Sequence, residues 1–195
     1  MMAIVNAAIV SHAGAFTKFS GAEGEKMSGK STSSQEFTLK EEGSGKTIAA
    51  TCAHAEGESV IKGVKTEFAS GGHYKECKVA GIAATVKGEH ENAKKERVKC
   101  ETVQHINGTV DLIGESPCTT IEVAATKCKV IVNEQKAFKE ITYKNGVKGE
   151  LIGEGKVTGV KWESATGKAC GFEKEATKGT ANYQGSAEIA ELKVE

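Results

Sequence analysis

Six cysteines spread along the chain, without a CxxC pair, constrain the fold more than any other feature. They are Cys52, Cys77, Cys100, Cys118, Cys128 and Cys170. An even number of cysteines inside short β-patterned runs is typical of a disulfide framework formed in an oxidising compartment. Zinc ligation needs closely spaced cysteine and histidine pairs, and this chain has none. The sequence therefore predicts a secreted protein with three disulfides and with no metal or other cofactor.

Sequence alone does not choose among the many possible pairings of six cysteines. Bonded cysteines have Cα atoms within about 7 Å, so each pair marks neighbouring strands. Local geometry favours Cys52 with Cys77 across a hairpin, Cys118 with Cys128 across a strand and turn, and Cys100 with Cys170.

The composition leaves a thin interior for a chain of one-domain size. Hydrophobic residues make up 38% and aromatic residues 5% of the 195 residues, so disulfides must compensate for a core of Val, Ile, Ala and a few Phe. The net charge is zero, which predicts no nucleic-acid partner. No apolar run approaches the ~20 residues of a membrane helix, so no integral membrane segment is predicted.

Apolar and polar residues alternate in short runs from Glu36 to the end of the chain, with turn signals about every 8–12 residues. The 23 glycines and a single proline indicate that turns are made mainly by Gly and Asn. Asn145-Gly146 is a good hairpin turn, and Glu89–Val98 is interpreted as a charged hairpin loop. The pattern predicts an all-β fold over residues 36–195, a single disulfide-stapled sandwich with Greek-key or meander connections and little helix.

The first 35 residues carry weaker signals. Residues 3–10 are apolar, and Ala13 and Ala15 give a small-x-small pattern. Two interpretations of residues 1–15 stay open, the remnant of a secretory signal peptide and an N-terminal strand. Residues 16–35 are rich in Ser, Gly, Lys and Glu, which indicates an irregular lead-in.

Two motifs resemble catalytic or phosphate sites but lack their context. Gly43–Thr47 resembles the end of a P-loop, yet Lys40 stands where the motif needs glycine and a β-type run follows, so a turn is expected. His105 and Asp111 lie on neighbouring runs, but no nucleophile motif accompanies them, which favours a surface polar pair.

A glycoside hydrolase would need paired glutamates in an aromatic-lined cleft. The four residues able to stack on sugars, Tyr74, Tyr143, Trp162 and Tyr183, are dispersed along the sequence. Trp162 is instead interpreted as a core or edge anchor. Glu41-Glu42 is interpreted as a solvated edge rather than a calcium site. No catalytic residue is assigned, and the chain is predicted not to be an enzyme.

Several segments occur in an order that resembles a family of uncharacterised secreted β-rich proteins of actinobacteria, over about residues 52–194. The segments are Cys128–Val132 with Gln135, Ile141–Asn145, Val157–Trp162 leading to Cys170-Gly171, and Gly179–Ser186. The resemblance implies export and a β-rich fold, and it supplies no activity or catalytic residue. The charged residues 91–99 and the short N-terminal leader depart from the family pattern.

The function expected from these features is that of an extracellular structural or interaction protein. If residues 3–10 are retained, they can add as a strand to the sheet edge of a neighbouring copy and build a filament, so the predicted partner is the chain itself. The first alternative is a carbohydrate- or surface-binding module with an aromatic-lined concavity and a glycan partner. The less favoured alternative is a secreted hydrolase with paired glutamates.

Overall fold

A computed structural model of the chain describes residues 16–61, 63, 65–91, 94, 95 and 97–195. The prediction for residues 1–15, a signal remnant or a strand, concerns residues outside the described ranges. Within the described ranges the chain is almost entirely β, with one four-residue helix. The elements are β1 (Phe19–Ser20), β2 (Met27–Ser31), β3 (Gln35–Glu41), β4 (Thr47–Val60), β5 (Glu67–Val79), β6 (Ile82–Lys87), β7 (Glu89–Glu91), β8 (Arg97–Lys99), β9 (Glu101–His105), β10 (Thr109–Ile113), β11 (Thr119–Val123), β12 (Cys128–Val132), β13 (Gln135–Lys139), β14 (Ile141–Asn145), β15 (Leu151–Ser164), α1 (Gly167–Cys170), β16 (Thr177–Ile189) and β17 (Lys193–Val194).

Eight antiparallel strands of the main sheet close into a ring. The order is β3, β4, β5, β6, β11, β12, β15 and β16, and β16 pairs back onto β3. Each strand of the ring is paired on both sides over at least part of its length. The predicted all-β sandwich is confirmed, with the sheet folded over so that its inner faces pack together.

The four long strands β4, β5, β15 and β16 continue beyond this ring and carry a second set of short strands. There β2 lies between β4 and β16, β9 and β10 extend from β5, β13 pairs with β10, and β14 pairs with β15. The strands that extend from β5 also contact those that extend from β15. The amide of Ile141, at the start of β14, donates to the carbonyl of Gly108, just before β10, at 3.0 Å. The long strands therefore form part of the walls of two separate interiors.

Two hydrophobic cores fill these interiors. The cystine lobe is the core that contains Cys52, Cys77, Ile121, Cys128, Val130, Trp162, Cys170 and Phe172. The aromatic lobe is the core that contains Phe19, Phe68, Phe138, Tyr143, Leu151 and Leu192. All of these side chains are at least nine-tenths buried, so each lobe excludes water from its own centre.

The structure joins all six cysteines but overturns two of the three expected pairings. The pairs are Cys52–Cys77, as predicted, Cys100–Cys118 and Cys128–Cys170. Cys118 and Cys128 do not meet because β11 and β12 form a hairpin with Val123 opposite Cys128. Cys118 lies at the other end of that hairpin, where its amide donates to the Val132 carbonyl. Spacing along the chain therefore does not give the pairing, because strand register decides it.

The segment expected to be an irregular lead-in contains two strands. β1 pairs with β17 near the end of the chain, and β2 lies in the main sheet. In β2 only Met27 is a large buried residue, and the inward position Gly29 lies opposite Gly57. Inward and outward positions alternate in β2, but too few of the inward residues are apolar for the pattern to be recognised in the sequence.

The charged hairpin expected at Glu89–Val98 is confirmed by the pairing of β7 with β8.

Side-chain amides complete the sheet where strands do not pair. Gln135 Nε2 donates to the Lys161 carbonyl and its Oε1 accepts from the Lys161 amide, both at 2.7 Å, which links β13 to β15. Asn145 makes the same two-way contact with the backbone of Val194, both bonds at 2.9 Å.

The prediction that Asn145-Gly146 forms the hairpin turn is wrong in detail. Asn145 ends β14, and the loop spans residues 146–150.

Candidate functional site

A cavity of about 660 Å³ lies between the two cores, where the long strands pass from one lobe to the other. Its apolar wall comes from both lobes, with Leu39, Ile121 and Val132 on one side and Phe68, Phe138 and Leu151 on the other. Cavities of about 300–1,000 Å³ with mostly apolar walls are typical of small-molecule sites. The fold therefore contains an interior space of ligand size.

Glycines inside strands make room for side chains that line this cavity. Gly155 of β15 and Gly185 of β16 are cross-strand partners and both line it. A side chain at Gly185 would collide with the Gln35 amide and the Tyr183 hydroxyl. Glycine within a strand often marks such a close approach. The sequence interpretation placed glycines mainly in turns and so missed this signal.

All three tyrosines of the chain line the cavity, although their wide separation along the sequence does not indicate a shared site. Tyr74 lies on β5, Tyr143 on β14 and Tyr183 on β16. Phe37 of β3 joins them, with its ring centroid 5.4 Å from that of Tyr74 and 5.1 Å from that of Tyr183. Strands distant in sequence thus bring four aromatic rings to one interior surface.

Two of the tyrosine hydroxyls donate to glutamine side chains. The Tyr183 hydroxyl donates to Gln35 Oε1, and Gln35 Nε2 donates to the Ser33 carbonyl at 2.7 Å. The Tyr143 hydroxyl lies 3.4 Å from Gln104 Oε1, and Gln104 Nε2 donates to a serine hydroxyl of β5 at 3.0 Å. These chains of hydrogen bonds hold both phenols in fixed positions on the wall.

Burial keeps the phenols of the cavity protonated. It raises the pKa of Tyr143 and of Tyr74, because the phenolate is poorly solvated there. Burial also raises the pKa of Tyr183, and the nearby Tyr74 phenol adds to that effect. The cavity therefore presents neutral hydroxyl groups at physiological pH.

The cavity reaches the surface along one edge of β5. This strand pairs with β9 through Glu67–Ser70 and with β6 through Cys77–Val79. Between these stretches, residues 71–76 have no strand partner on that edge in the part of the chain that the structure describes. Gly71 and Gly72, both exposed, line the cavity here together with the Cys100–Cys118 disulfide. The gap between the lobes thus serves as the opening.

Charged residues of the wall belong to the outer face of the strands. Lys30, Glu56 and Glu58 are exposed and alternate with the inward positions of β2 and β4. They pair with surface partners, Lys30 with Glu188 at 3.0 Å and Glu58 with Lys26 at 2.7 Å. Glu89 of β7 and Lys99 of β8 also line the cavity and are exposed. The buried and half-buried polar side chains of the wall, such as Gln35, Gln104 and the tyrosines, carry amides and hydroxyls.

His105 and Asp111 do meet, in the surface pair expected for them. His105 Nε2 lies 3.1 Å from Asp111 Oδ2, and its Nδ1 lies 3.3 Å from Glu67 Oε2. The other oxygen of Asp111 accepts the Ala137 amide at 2.6 Å. A catalytic histidine needs one ring nitrogen facing a nucleophile. Both nitrogens here face carboxylates, so the cluster joins strands and has no triad geometry.

Gly43–Lys46 lies in the turn between β3 and β4, as expected, and Thr47 begins β4. Glu41, at the end of β3, is not a solvated edge. Glu41 is 1% exposed. It accepts hydrogen bonds from the Ser44 hydroxyl, from Thr177 Oγ1 at 2.8 Å and from two backbone amides of the loop before β16. The Ser44 hydrogen bond is the largest of the causes that lower the pKa of Glu41 to about 2. This carboxylate ties the turn to that loop.

Among the described glutamates, the displaced pKa values all move downward. A general acid needs a raised pKa, but every glutamate with a displaced pKa in the described ranges has it lowered, by hydrogen bonds and nearby lysines: Glu41, Glu56, Glu58, Glu122 and Glu195. Trp162 is buried and stacks on Phe172 with centroids 4.6 Å apart, which confirms its interpretation as a core anchor.

Comparison with models of protein families, with curated proteins and with solved structures finds no match to the chain. The resemblance to secreted actinobacterial proteins therefore stays a prediction. Among the described residues, no helix has the length and apolar character needed to cross a membrane. In the same ranges, no three His, Cys, Asp or Glu side chains are grouped closely enough to hold a metal ion.

Proposed function

We propose that the protein is an extracellular binding protein that takes a small, mostly apolar molecule into the cavity between its lobes. The observation that carries this proposal is the cavity of about 660 Å³ lined by all three tyrosines of the chain. Such a combination of apolar walls and a few placed polar groups is typical of ligand sites. The three disulfides support an oxidising, extracellular compartment.

This proposal takes up the binding-module alternative from the sequence, with a different ligand chemistry. A sugar presents hydroxyls on all sides and needs many polar partners, because each buried unpaired polar group is costly. The wall is mostly apolar and two of its three phenols already bond to glutamines. An apolar ligand therefore fits the interior better than a glycan. Filament assembly through residues 3–10 stays a prediction, because those residues lie outside the described ranges.

Binding can be tested with N-phenyl-1-naphthylamine, a neutral apolar fluorophore, in a titration of the folded protein. Two alanines of β4 offer a matched pair, since Ala55 lines the cavity and Ala49 is exposed. We expect saturable binding to the wild type, at least about tenfold weaker binding to Ala55→Trp because the indole fills the site, and unchanged binding to Ala49→Trp. Absence of binding to the wild type, or equal binding to both variants, would contradict the proposal.

A further inference from the structure

Resting on the proposed function, we propose that the ligand is a neutral, mostly apolar molecule that carries a carbonyl or ether oxygen, and that the Tyr74 hydroxyl recognises this oxygen. The inference comes from a difference among the three phenols of the cavity. They share one interior, but they do not share the same hydrogen-bonding state.

Two of the phenols have protein acceptors. Tyr183 donates to Gln35 and Tyr143 to Gln104. The amide nitrogens of both glutamines are used as well, Gln35 Nε2 on the Ser33 carbonyl and Gln104 Nε2 on the Ser70 hydroxyl. A ligand that accepted the hydrogen bond of either phenol would leave the oxygen of the corresponding glutamine without a donor. These two tyrosines therefore shape the wall and are poor contacts for a ligand oxygen.

Tyr74 differs because no described group of the protein accepts a hydrogen bond from its hydroxyl. Its ring is held edge-on against Phe37, with centroids 5.4 Å apart, and its strand partner is Ala55. Burial raises its pKa, so the phenol keeps its proton. Tyr74 is only partly buried, so without a ligand its hydroxyl can donate to water. A ligand oxygen within reach would take the place of that water, whereas a hydrocarbon would leave the donor without an acceptor, which is unfavourable.

The position of Tyr74 fits a contact made by the polar end of a ligand. The residue lies in the stretch of β5 that borders the opening, two positions beyond Gly72. The apolar residues Phe68 and Phe138 line the aromatic-lobe side of the cavity. An apolar body on that side with its oxygen toward Tyr74 would match the distribution of polar and apolar groups.

The charges of the wall indicate that the ligand is neutral. The charged residues of the wall, Lys30, Glu56, Glu58, Glu89 and Lys99, are all exposed. Lys30, Glu56 and Glu58 have ion-pair partners at the surface. A charged ligand would lose its hydration without gaining a counter-charge, which is strongly unfavourable.

The test uses two ligands of nearly the same shape, 2-acetylnaphthalene and 2-isopropenylnaphthalene, which differ by an oxygen in place of a methylene group. Each displaces N-phenyl-1-naphthylamine from the wild type and from Tyr74→Phe, which keeps the ring against Phe37. The measured quantity is the ratio of the two dissociation constants in each protein. We expect the preference for the ketone to fall about fivefold in Tyr74→Phe, as for the loss of one hydrogen bond. In the control variant Tyr143→Phe the ratio should change less than about twofold.

The outcomes separate this inference from the proposed function. If neither naphthalene nor the fluorophore binds the wild type, the cavity is not a binding site and both proposals fall. If both naphthalenes bind and Tyr74→Phe leaves their ratio unchanged, binding stands and the assignment of Tyr74 is overturned. A fivefold change seen in Tyr143→Phe instead would also overturn it, because the oxygen would then contact the other phenol.

Discussion

The two lobes stabilise cores of similar extent in different ways. Two of the three disulfides, Cys52–Cys77 and Cys128–Cys170, lie inside the cystine lobe among Val, Ile and Ala side chains. The aromatic lobe contains no cystine, and its centre is the cluster of Phe19, Phe68 and Tyr143, with Phe19 edge-on to both of the other rings at 4.8 and 5.2 Å. The cystine lobe has two buried rings, Trp162 and Phe172, beside its two disulfides, whereas the aromatic lobe has four buried rings and no disulfide.

This difference explains how a chain with 5% aromatic residues encloses a cavity. Large side chains bury the most apolar surface per residue. Placing several of them in one lobe leaves the other short of buried area, and disulfides offset this by restricting the unfolded chain. The cavity lies between the lobes, so its walls are supported from both sides.

The largest effect is expected from removing a cystine. The double variant Cys128→Ala/Cys170→Ala opens a loop of sequence separation 42 and should lower the free energy of unfolding by about 4 kcal/mol. Denaturant unfolding measures this, and hydrogen exchange should show protection lost first in β12. In the control Cys100→Ala/Cys118→Ala, with separation 18, the loss should be about 3 kcal/mol. Loss of protection first in β9 or β14 would contradict the assignment of the cystine to one lobe.

A smaller effect is expected from shortening a ring in the aromatic lobe. Phe68→Leu removes the edge-on contact with Phe19 and leaves a small void, at a cost of about 2 kcal/mol. The matched variant Phe172→Leu loses its stacking on Trp162 but stays next to the Cys128–Cys170 disulfide. We expect it to cost less, and equal losses in chemical unfolding would remove the distinction between the lobes.

The contact between β13 and β15 should give an effect of about 1 kcal/mol. Gln135→Ala removes two hydrogen bonds to the backbone of Lys161, next to Trp162 of the cystine lobe. Gln184→Ala, on an exposed position of β16, is the control and should change the midpoint of unfolding little. A Gln135→Ala protein as stable as this control would show that the side-chain amide is not needed to join the strands.

The last effect is a pH dependence, because the contribution of Glu41 to stability is present at neutral pH and is lost in acid. The pKa of Glu41 is lowered from 4.5 to about 2 in the folded protein, so the ionised form binds its partners and adds stability above pH 4.5. That contribution should decrease as the pH falls from 4.5 towards 2 and the carboxylate takes up a proton. Thermal unfolding across this range should show a shallower pH dependence for Glu41→Gln than for the wild type. Glu42→Gln, at an exposed neighbour, should keep the wild-type slope, and parallel curves for all three proteins would contradict the prediction.

The all-β fold was predictable because period-2 alternation survives in most strands. The runs Phe37–Leu39 and Cys128–Val132 both lie in the strands expected from them. The closure of the sheet was not predictable, since it depends on which strands pair across long separations. Cys118 and Cys128 show the limit, because they are near in sequence and lie at opposite ends of one hairpin. The pairing followed from register, which no local pattern contained.

The candidate site was missed for a related reason. Tyr74, Tyr143 and Tyr183 lie on three different strands, and only the closed sheet brings them together. One local signal was available, since Gly153 and Gly155 occupy alternate positions within a strand-type run. Glycine at such positions marks a bend, a bulge or a close approach by another group. These glycines indicate a close approach inside the fold, but not that the rings of Tyr143 and Tyr183 are the groups that approach them.

The most direct test of a ligand site between the lobes is a crystal structure of the wild-type protein grown with 2-acetylnaphthalene. We predict one bound molecule between the two cores, with its rings against the aromatic-lobe wall and its carbonyl oxygen within hydrogen-bonding distance of the Tyr74 hydroxyl. An interior filled by the protein's own side chains, or a ligand bound only on the outer face of the sheet, would contradict the account.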